Sequence, residues 1–213
     1  MKVFALNGSQ RKKGNTNALL NAALEGAREA GAETELIQLA DLNFKGCRAC
    51  YGCKLRGKPV EYCVIKDDLQ EVLKKAMECD LLLIGTPIHF GDITGEVRNF
   101  INRFIYPHLS YSTGPHKFDK PVRSLMIYSG NVMEDQVKEG MYQKLTDDNK
   151  MWLEMYAGPS EYFWAPETLM FNDLERYDGD FYKMPGILER RTPLFDENKA
   201  KLHDLVKAMV SEA

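Results

Sequence analysis

The sequence has 213 residues, of which 44% are hydrophobic, and its formal net charge at pH 7 is -3. This length suffices for one large α/β domain and is short for two, and the slightly acidic balance excludes the basic field that a nucleic-acid partner needs. No apolar run approaches the ~20 residues of a membrane span, and the run after Met1 is too short for a signal peptide. We expect one domain over residues 1–213, in the cytoplasm.

The first predicted strand, Lys2–Leu6, leads into a loop rich in Gly, Ser, Asn and Thr, and a helix begins near Thr16. The unpaired N–H groups and positive dipole end of that helix favour an anion in the loop. The loop lacks the Gly-x-Gly-x-x-Gly order of dinucleotide-binding folds and the Gly-Lys-Ser/Thr ending of nucleotide triphosphatases. Its side chains suit a terminal phosphate monoester instead; they are Ser9, Arg11, Asn15, Thr16 and Asn17. The alternative is an ordinary turn in which one Asn or Thr caps the helix.

The later elements alternate between strands and helices. Apolar runs and alternating patterns predict further strands at 34–39, 81–84, 122–128 and 167–171. Apolar residues at helical spacing predict helices that end at Gly31, cover 69–77 and 95–104, run from Glu134 to Ala157, and begin at Asp196. Asp67 with Gln70, and Thr94, are the predicted caps of the second and third helices. This order predicts an α/β, three-layer, doubly wound parallel five-stranded sheet with flavodoxin-like order 2-1-3-4-5.

Two further loops should meet the phosphate loop at the carboxyl ends of the strands. One follows the third strand and contains a rigid proline, two glycines and an aromatic ring; its candidate residues are Thr86, Pro87, Ile88, His89, Phe90 and Gly91. The other is Ser129, Gly130 and Asn131. A planar ring could lie against Ile88 and Phe90, with His89 as a packing or edge hydrogen-bonding group. The alternative is a plain strand-to-helix turn with Phe90 in the core.

The sequence resembles the flavodoxin-like NAD(P)H-dependent FMN reductases, in particular the iron-sulfur flavoproteins. The matching motifs are Gly8-Ser9-x-Arg11-x-x-Gly14-Asn15-Thr16, Cys47-x-x-Cys50-x-x-Cys53, Cys63-Val64-Ile65-Lys66-Asp67-Asp68, Thr86-Pro87-Ile88-x-Phe90-Gly91-x-x-Thr94-Gly95 and the tail Phe171-x-Asp173-x-x-x-Tyr177. The resemblance implies that the first loop holds the FMN phosphate, that Pro87 to Gly91 hold the isoalloxazine, and that Ser129 to Asn131 hold its other side. Members usually have Tyr at the position of His89.

Four of the five cysteines, Cys47, Cys50, Cys53 and Cys63, are candidate metal ligands, because three thiolates at this spacing can converge on one soft centre with the fourth close by. A [4Fe–4S] cluster is the first interpretation, with Lys54, Arg56 and Lys58 offsetting its charge. The gap before Cys63 is longer than in similar proteins, so reduced free thiols remain an alternative, and zinc is another. Cys79 is predicted to be a buried core residue.

These features predict an FMN-dependent oxidoreductase that passes electrons from NAD(P)H or a reduced carrier to a flavin, quinone or iron-sulfur acceptor, with the flavin carrying the chemistry. Two alternatives are a non-enzymatic electron-transfer protein with FMN and a [4Fe–4S] cluster, and a flavin-free metal-binding module. Aromatic residues at 106–118 and 162–164 look like an interface, so we expect a homodimer or homotetramer; the alternative is that they pack internally against the last helix.

Overall fold

The computed structural model describes residues 1–57, 61–171, 173, 175–183 and 186–212. Its main sheet has five parallel strands: β1 (Lys2–Asn7), β2 (Glu33–Gln38), β3 (Leu81–Pro87), β6 (Arg123–Ser129) and β7 (Ser160–Ala165). They lie in the order β2-β1-β3-β6-β7. Counted along the chain, this is the predicted order 2-1-3-4-5, which is confirmed. A two-stranded hairpin, β4 (Leu109–Ser110) and β5 (Gly114–Pro115), lies outside this sheet.

Helices cover both faces of the sheet: α1 (Asn15–Glu29), α2 (Leu69–Glu78), α3 (Gly95–Ile105), α4 (Glu134–Glu139), α5 (Met141–Tyr156) and α6 (Ile187–Ser211). The side chains of β1 alternate between the two faces, so that Val3 and Ala5 pack under α1 and α6. Phe4 and Leu6 belong to the opposite core, with α2, α3 and α5. A parallel sheet buried on both faces explains the unbroken apolar run of β3.

The fifth strand was predicted at 167–171 and lies instead at Ser160–Ala165, where Ser160 pairs with Ser124 of β6. Residue Glu167 cannot continue a strand, because its φ is 54°. The predicted interface aromatics therefore belong to the edge strand: the Trp164 ring stacks on Tyr128 with centroids 4.9 Å apart. Phe118 is also buried, whereas Tyr111 is exposed, and the oligomeric state stays a prediction.

Two predicted helices differ in extent. The helix expected from Glu134 to Ala157 is divided at Gly140, whose backbone is not helical. The last helix begins at Ile187 rather than at Asp196. Its first turns bury Arg191 and contain Pro193, so their sequence shows no apolar helical pattern.

The predicted caps also differ in detail. Asp68 rather than Asp67 directly precedes α2, but the predicted Asp67 does accept a hydrogen bond at the start of the helix, from Leu69 N at 3.2 Å. Thr94 precedes α3, and its side chain makes no capping hydrogen bond. The Thr94 hydroxyl donates to Gly8 O instead, at 2.9 Å, which ties α3 to the phosphate loop. None of the helices in the described part of the chain has an apolar stretch long enough to traverse a lipid bilayer.

Candidate cofactor site

The phosphate loop, residues 8–14, follows β1 and is held by side chains from neighbouring strands. Asn7 Oδ1 accepts a hydrogen bond from Ser9 N at 3.0 Å, and Asn7 Nδ2 donates to Gln38 Oε1 at 2.7 Å. Gln38 Nε2 in turn donates to Ser9 O. The loop backbone approaches β3 closely, since Gly8 N donates to Gly85 O at 2.8 Å. The first residues of the loop, Gly8 and Ser9, are therefore held in place by the protein itself.

Helix α1 begins at this loop without a side-chain cap. Its N-terminal cap residue is Gly14, and no side chain accepts a hydrogen bond there. The capping part of the alternative interpretation is therefore wrong, because neither Asn15 nor Thr16 caps the helix, and phosphate binding by the loop stays a prediction. The first-turn N–H groups have no partner within the helix, and this is the arrangement that binds anions at helix N-termini.

A cavity of about 260 Å³ joins the three predicted loops. It is lined by ten of the fourteen predicted cofactor-binding residues: Ser9, Arg11, Asn15, Thr16, Pro87, Ile88, His89, Ser129, Gly130 and Asn131. Gln10, Thr168 and Met170, which the sequence did not single out, line it as well. The carboxyl ends of β1, β3 and β6 thus converge on one site, as the parallel sheet requires.

The other four predicted residues do not line this cavity. Asn17 O accepts a bond from Asn21 Nδ2 within α1. Thr86 is buried, and its hydroxyl accepts from Thr94 N at 3.1 Å, so it shapes the turn. Phe90 has a φ of 51° and a fully exposed ring, which shows that the alternative of a core position for Phe90 is wrong. Gly91 follows with a φ of 85°.

The second loop, residues 88–94, is anchored on both sides. Ile88 N donates to Ser129 O at 2.9 Å, which joins it to the end of β6. His89 and Asp92 exchange two backbone hydrogen bonds across the exposed Phe90, at 2.9 and 3.1 Å. The Asp92 carboxylate also pairs with Arg98 at 2.8 Å. His89 lines the cavity, and no carboxylate among the described residues pairs with its ring.

The covering segment, residues 166–171, closes the phosphate side of the cavity. Arg11 Nη1 donates to Met170 O at 2.7 Å, and Asn15 Nδ2 donates to Leu169 O at 2.8 Å. Thr168 N donates to Gly130 O at 3.0 Å. Two side chains predicted to bind phosphate are therefore already oriented by backbone carbonyls at the edge of the cavity.

The third loop, residues 130–133, depends on α6, a connection that the sequence reasoning missed. The Arg191 guanidinium is buried and donates from Nη1 to Asn131 Oδ1. Glu167 is also buried, and its carboxylate pairs with Arg190 at 2.6 Å and lies 3.6 Å from Arg191 Nε. The adjacent arginines at 190 and 191 gave no signal of this contact, because charged side chains are mostly solvent-exposed and Arg190 itself is half exposed.

The four clustered cysteines line one small cavity in the cysteine loop, residues 45–65, of which 58–60, including Lys58, lie outside the described residues. Cys47 and Cys50 are exposed, Cys53 is half-buried and Cys63 is buried. Burial raises the pKa of Cys53 against the opposing effect of Lys54. In the described ranges, no three Cys, His, Asp or Glu side chains are placed to hold a single metal ion.

The backbone of the cysteine loop is strained. Ala49 has a φ of 49° and Tyr51 a φ of 53°, a left-handed conformation that is costly for residues other than glycine. Lys54 Nζ donates to the carbonyls of Tyr106, Pro107 and Leu109 while its charge still acts on Cys53, and its role in offsetting the charge of a cluster stays a prediction. Cys79 is buried outside the loop, as predicted, and burial raises its pKa to about 12.

Arg103 of α3 lies behind the cysteines and lines the same cavity. Its side chain is fully buried and pairs with both carboxylate oxygens of Asp67, at 2.6 and 2.9 Å. Burial opposes its charge, but the bond to Asp67 and the attraction of Cys63 raise the pKa of Arg103. Its Nε atom is buried without a hydrogen-bond partner among the described residues.

A second, larger cavity of about 440 Å³ lies beside the cysteine loop. Most of its lining is aromatic or aliphatic, from α3, α5 and the segment between α3 and β4: Ile101, Ile105, Tyr106, Leu109, Trp152 and Tyr156. Cys47 lines both this cavity and the smaller cysteine cavity. Arg98, which pairs with Asp92 of the second loop, lies at its edge. We call it the apolar cavity.

Comparisons with known proteins agree with this geometry. The sequence model of the family described as NADPH-dependent FMN reductase matches residues 1–166. An iron-sulfur flavoprotein of Methanocaldococcus jannaschii is 41% identical over 103 residues, which are 48% of this chain and 51% of that protein. One from Archaeoglobus fulgidus is 44% identical over 103 residues, 48% of either chain. The chain thus spans about half the length of the curated relatives it matches.

Among solved structures, an NAD(P)H:quinone oxidoreductase from Methanothermobacter marburgensis superposes with a TM-score of 0.74. The superposition covers 98% of this chain and 96% of that one, at 14% sequence identity. At this identity the similarity shows the fold alone.

Proposed function

The chain belongs to the NADPH-dependent FMN reductase family, and from this premise we propose that it is an FMN-dependent oxidoreductase. It takes electrons from NAD(P)H or a reduced carrier and delivers them to a quinone, flavin or iron-sulfur acceptor. The observation that carries the proposal is the single cavity on which the phosphate loop and the two later loops converge. FMN, when bound, supplies both two-electron and one-electron transfer.

The polar end of the cavity fits a phosphate monoester. Ser9, Arg11, Asn15 and Thr16 line it beside the uncapped N-terminus of α1. One arginine with hydroxyl, amide and backbone N–H donors suits a dianion whose three oxygens each accept several hydrogen bonds. Asn17 lies on α1 away from this lining, so we assign the phosphate to the other four residues.

The opposite end fits a planar ring. Pro87, Ile88 and Gly130 offer a rigid, largely apolar wall, and His89 and Asn131 offer polar groups at its edge. Thr86 and Gly91 shape the second loop rather than line the wall. Phe90 carries an exposed ring at the end of this loop, and we assign it a stacking contact with the ring system or with an incoming substrate.

The cysteine loop fits a cluster better than a zinc ion. Four thiols line one cavity, and a buried Arg103 Nε lacks a partner there, as expected beside an electron-rich group. A single ion needs its ligands within one small sphere, and the described side chains form no such group. Four thiolates would serve as the ligands of a [4Fe–4S] cluster, which would supply one-electron transfer at this site. We therefore retain the cluster, with Cys47, Cys50, Cys53 and Cys63 as its ligands.

The apolar cavity favours a hydrophobic acceptor of the quinone class. Its volume and its aromatic lining with a few polar groups at the edge are those of a small-molecule site. It is connected to both candidate redox sites, because Cys47 lines this cavity and the cysteine cavity, and Arg98 of its lining pairs with Asp92 of the second loop.

A reduction assay without oxygen tests the enzymatic role. The FMN-loaded protein is mixed with NADH or NADPH, and the flavin absorbance is followed before and after a quinone is added. We expect bleaching by one nicotinamide and recovery with the quinone. A protein that stays oxidised with both nicotinamides, yet is reduced by ferredoxin, is the electron-transfer protein. A protein that takes up no flavin at all contradicts both roles and leaves the metal-binding module.

A further inference from the structure

We infer that Arg103 is the positioning residue of the cysteine site. Its guanidinium fixes both ends of the cysteine loop and presents the Nε–H to the group that the thiolates hold. The inference rests on the proposed cluster and adds a residue outside the four cysteines. Arg103 is part of α3, a helix buried against the sheet, and not of the loop that it would organise.

The hydrogen bonds of Arg103 close the loop at its base. Nη1 donates to Lys45 O at 2.9 Å, at one end of the loop, and Nη2 donates to Ile65 O at 3.2 Å, at the other. Asp67 accepts from both nitrogens and holds the guanidinium plane in this position. A planar fork with several donors can hold two carbonyls and a carboxylate together, whereas a lysine ammonium cannot.

The remaining donor of Arg103 is its Nε–H. The residue is 1% exposed, it lines the cysteine cavity, and Nε has no partner among the described residues. Buried N–H groups in native proteins almost always have an acceptor. Thiolate and sulfide sulfurs accept hydrogen bonds, and such bonds stabilise the more negative, reduced form of a cluster and raise its reduction potential. The Nζ of Lys54, a described lysine of the loop, already donates to three backbone carbonyls.

The test compares Arg103→Lys with Arg191→Lys, since both arginines are fully buried but only the first lines the cysteine cavity. Each protein is loaded with FMN, iron and sulfide without oxygen. Three quantities are measured: the rate at which a chelator removes iron, the reduction potential of the cluster, and the rate at which Cys63 is alkylated in cluster-free protein. Cys79, buried outside the loop, is the internal reference for alkylation.

Arg103→Lys should lose iron about tenfold faster or more, the usual effect of removing a group that orients metal ligands. Its cluster potential should become more negative, and Cys63 should react faster relative to Cys79, with FMN content unchanged. Arg191→Lys should keep its iron and bind FMN more weakly, because Arg191 holds Asn131. Wild-type iron retention, potential and Cys63 reactivity in Arg103→Lys would overturn the inference.

Two further outcomes are distinguishable. If the wild-type protein takes up flavin but no iron and sulfide, the proposed cluster fails and the inference fails with it, while the FMN site stands. If Arg103→Lys does not fold, the pair variant Arg103→Met with Asp67→Asn removes both charges and keeps the acceptor that Leu69 N uses. The pair variant should bind FMN and lose iron rapidly, and normal iron retention in it would equally overturn the inference.

Discussion

A methyl group at Gly8 should damage the phosphate loop more than one at any exposed glycine. A Cβ atom on Gly8 would lie 2.1 Å from Val97 Cγ2 and 3.0 Å from both Gly85 O and Thr94 Oγ1. To relieve the clash, the loop must move away from β3 and α3. This movement opposes the two hydrogen bonds that hold Gly8, from Gly8 N to Gly85 O and from the Thr94 hydroxyl to Gly8 O. Overpacking costs about 1–3 kcal/mol, and one weakened hydrogen bond adds about 1 kcal/mol.

We therefore expect Gly8→Ala to lower the free energy of unfolding by about 2–4 kcal/mol. It should also weaken FMN binding by about tenfold or more, because the displaced backbone carries Ser9 with it. Urea unfolding followed by circular dichroism measures the first effect, and quenching of flavin fluorescence measures the second. The matched control is Gly95→Ala, where an added Cβ meets no atom within 4 Å.

A second substitution makes the argument sharper. Val97→Ala removes the nearest clashing atom. The double variant Gly8→Ala with Val97→Ala should therefore lose less free energy of unfolding than the two single variants together, by about 1 kcal/mol or more. The proposed clash is contradicted if Gly8→Ala and Gly95→Ala have equal free energies of unfolding and equal FMN affinities. It is also contradicted if Val97→Ala gives no compensation in the double variant.

Two other predictions address charge. Arg11→Met should weaken FMN binding about tenfold or more through loss of a charge-assisted hydrogen bond, yet leave riboflavin binding unchanged. Lys12→Met, which removes only the surface ion pair with Asp41, should change the affinity for neither flavin. If Arg11→Met weakens the binding of both flavins equally, the phosphate assignment is contradicted. Burial lowers the pKa of His108 from 6.5, against the hydrogen bond that Nε2 donates to Glu61 O. The neutral ring therefore contributes stability above about pH 6.5 that is lost as the pH falls through the folded pKa. Unfolding of His108→Gln between pH 7.5 and 5 should show a weaker decline, and an unchanged decline would exclude His108 as its source.

The sheet and the phosphate loop could be predicted because their signals are local. The apolar run of β3 and the turn after Leu6 each reflect the physics of a few adjacent residues. The fifth strand was misplaced because Tyr162 to Trp164 have the aromatic side chains of a strand but were taken for surface residues. The left-handed backbone conformation of Glu167 prevents a strand at 167–171, and no residue type in the sequence indicates this conformation.

The parts of the site that could not be predicted depend on contacts between distant residues. Arg191 reaches Asn131, sixty positions away, and Arg103 reaches the carbonyls of residues 45 and 65. Neither arginine belongs to a recognisable motif, and the partners that allow its burial come from distant segments. Arg103 has Asp67 and two backbone carbonyls, and Arg191 has Glu167 and the Asn131 side chain. Phe90 shows the same limit, since a strained backbone angle turns its ring outward and no side-chain pattern encodes that angle.

The central claim is that three loops form one site whose phosphate end lies at the start of α1. Calorimetric titration of the flavin-free protein with FMN and with riboflavin tests it most directly, because the two ligands differ only in the phosphate. We expect one FMN to bind per chain, with a Kd about tenfold or more lower than that of riboflavin. Equal affinities for the two flavins, or no binding of either, would contradict it.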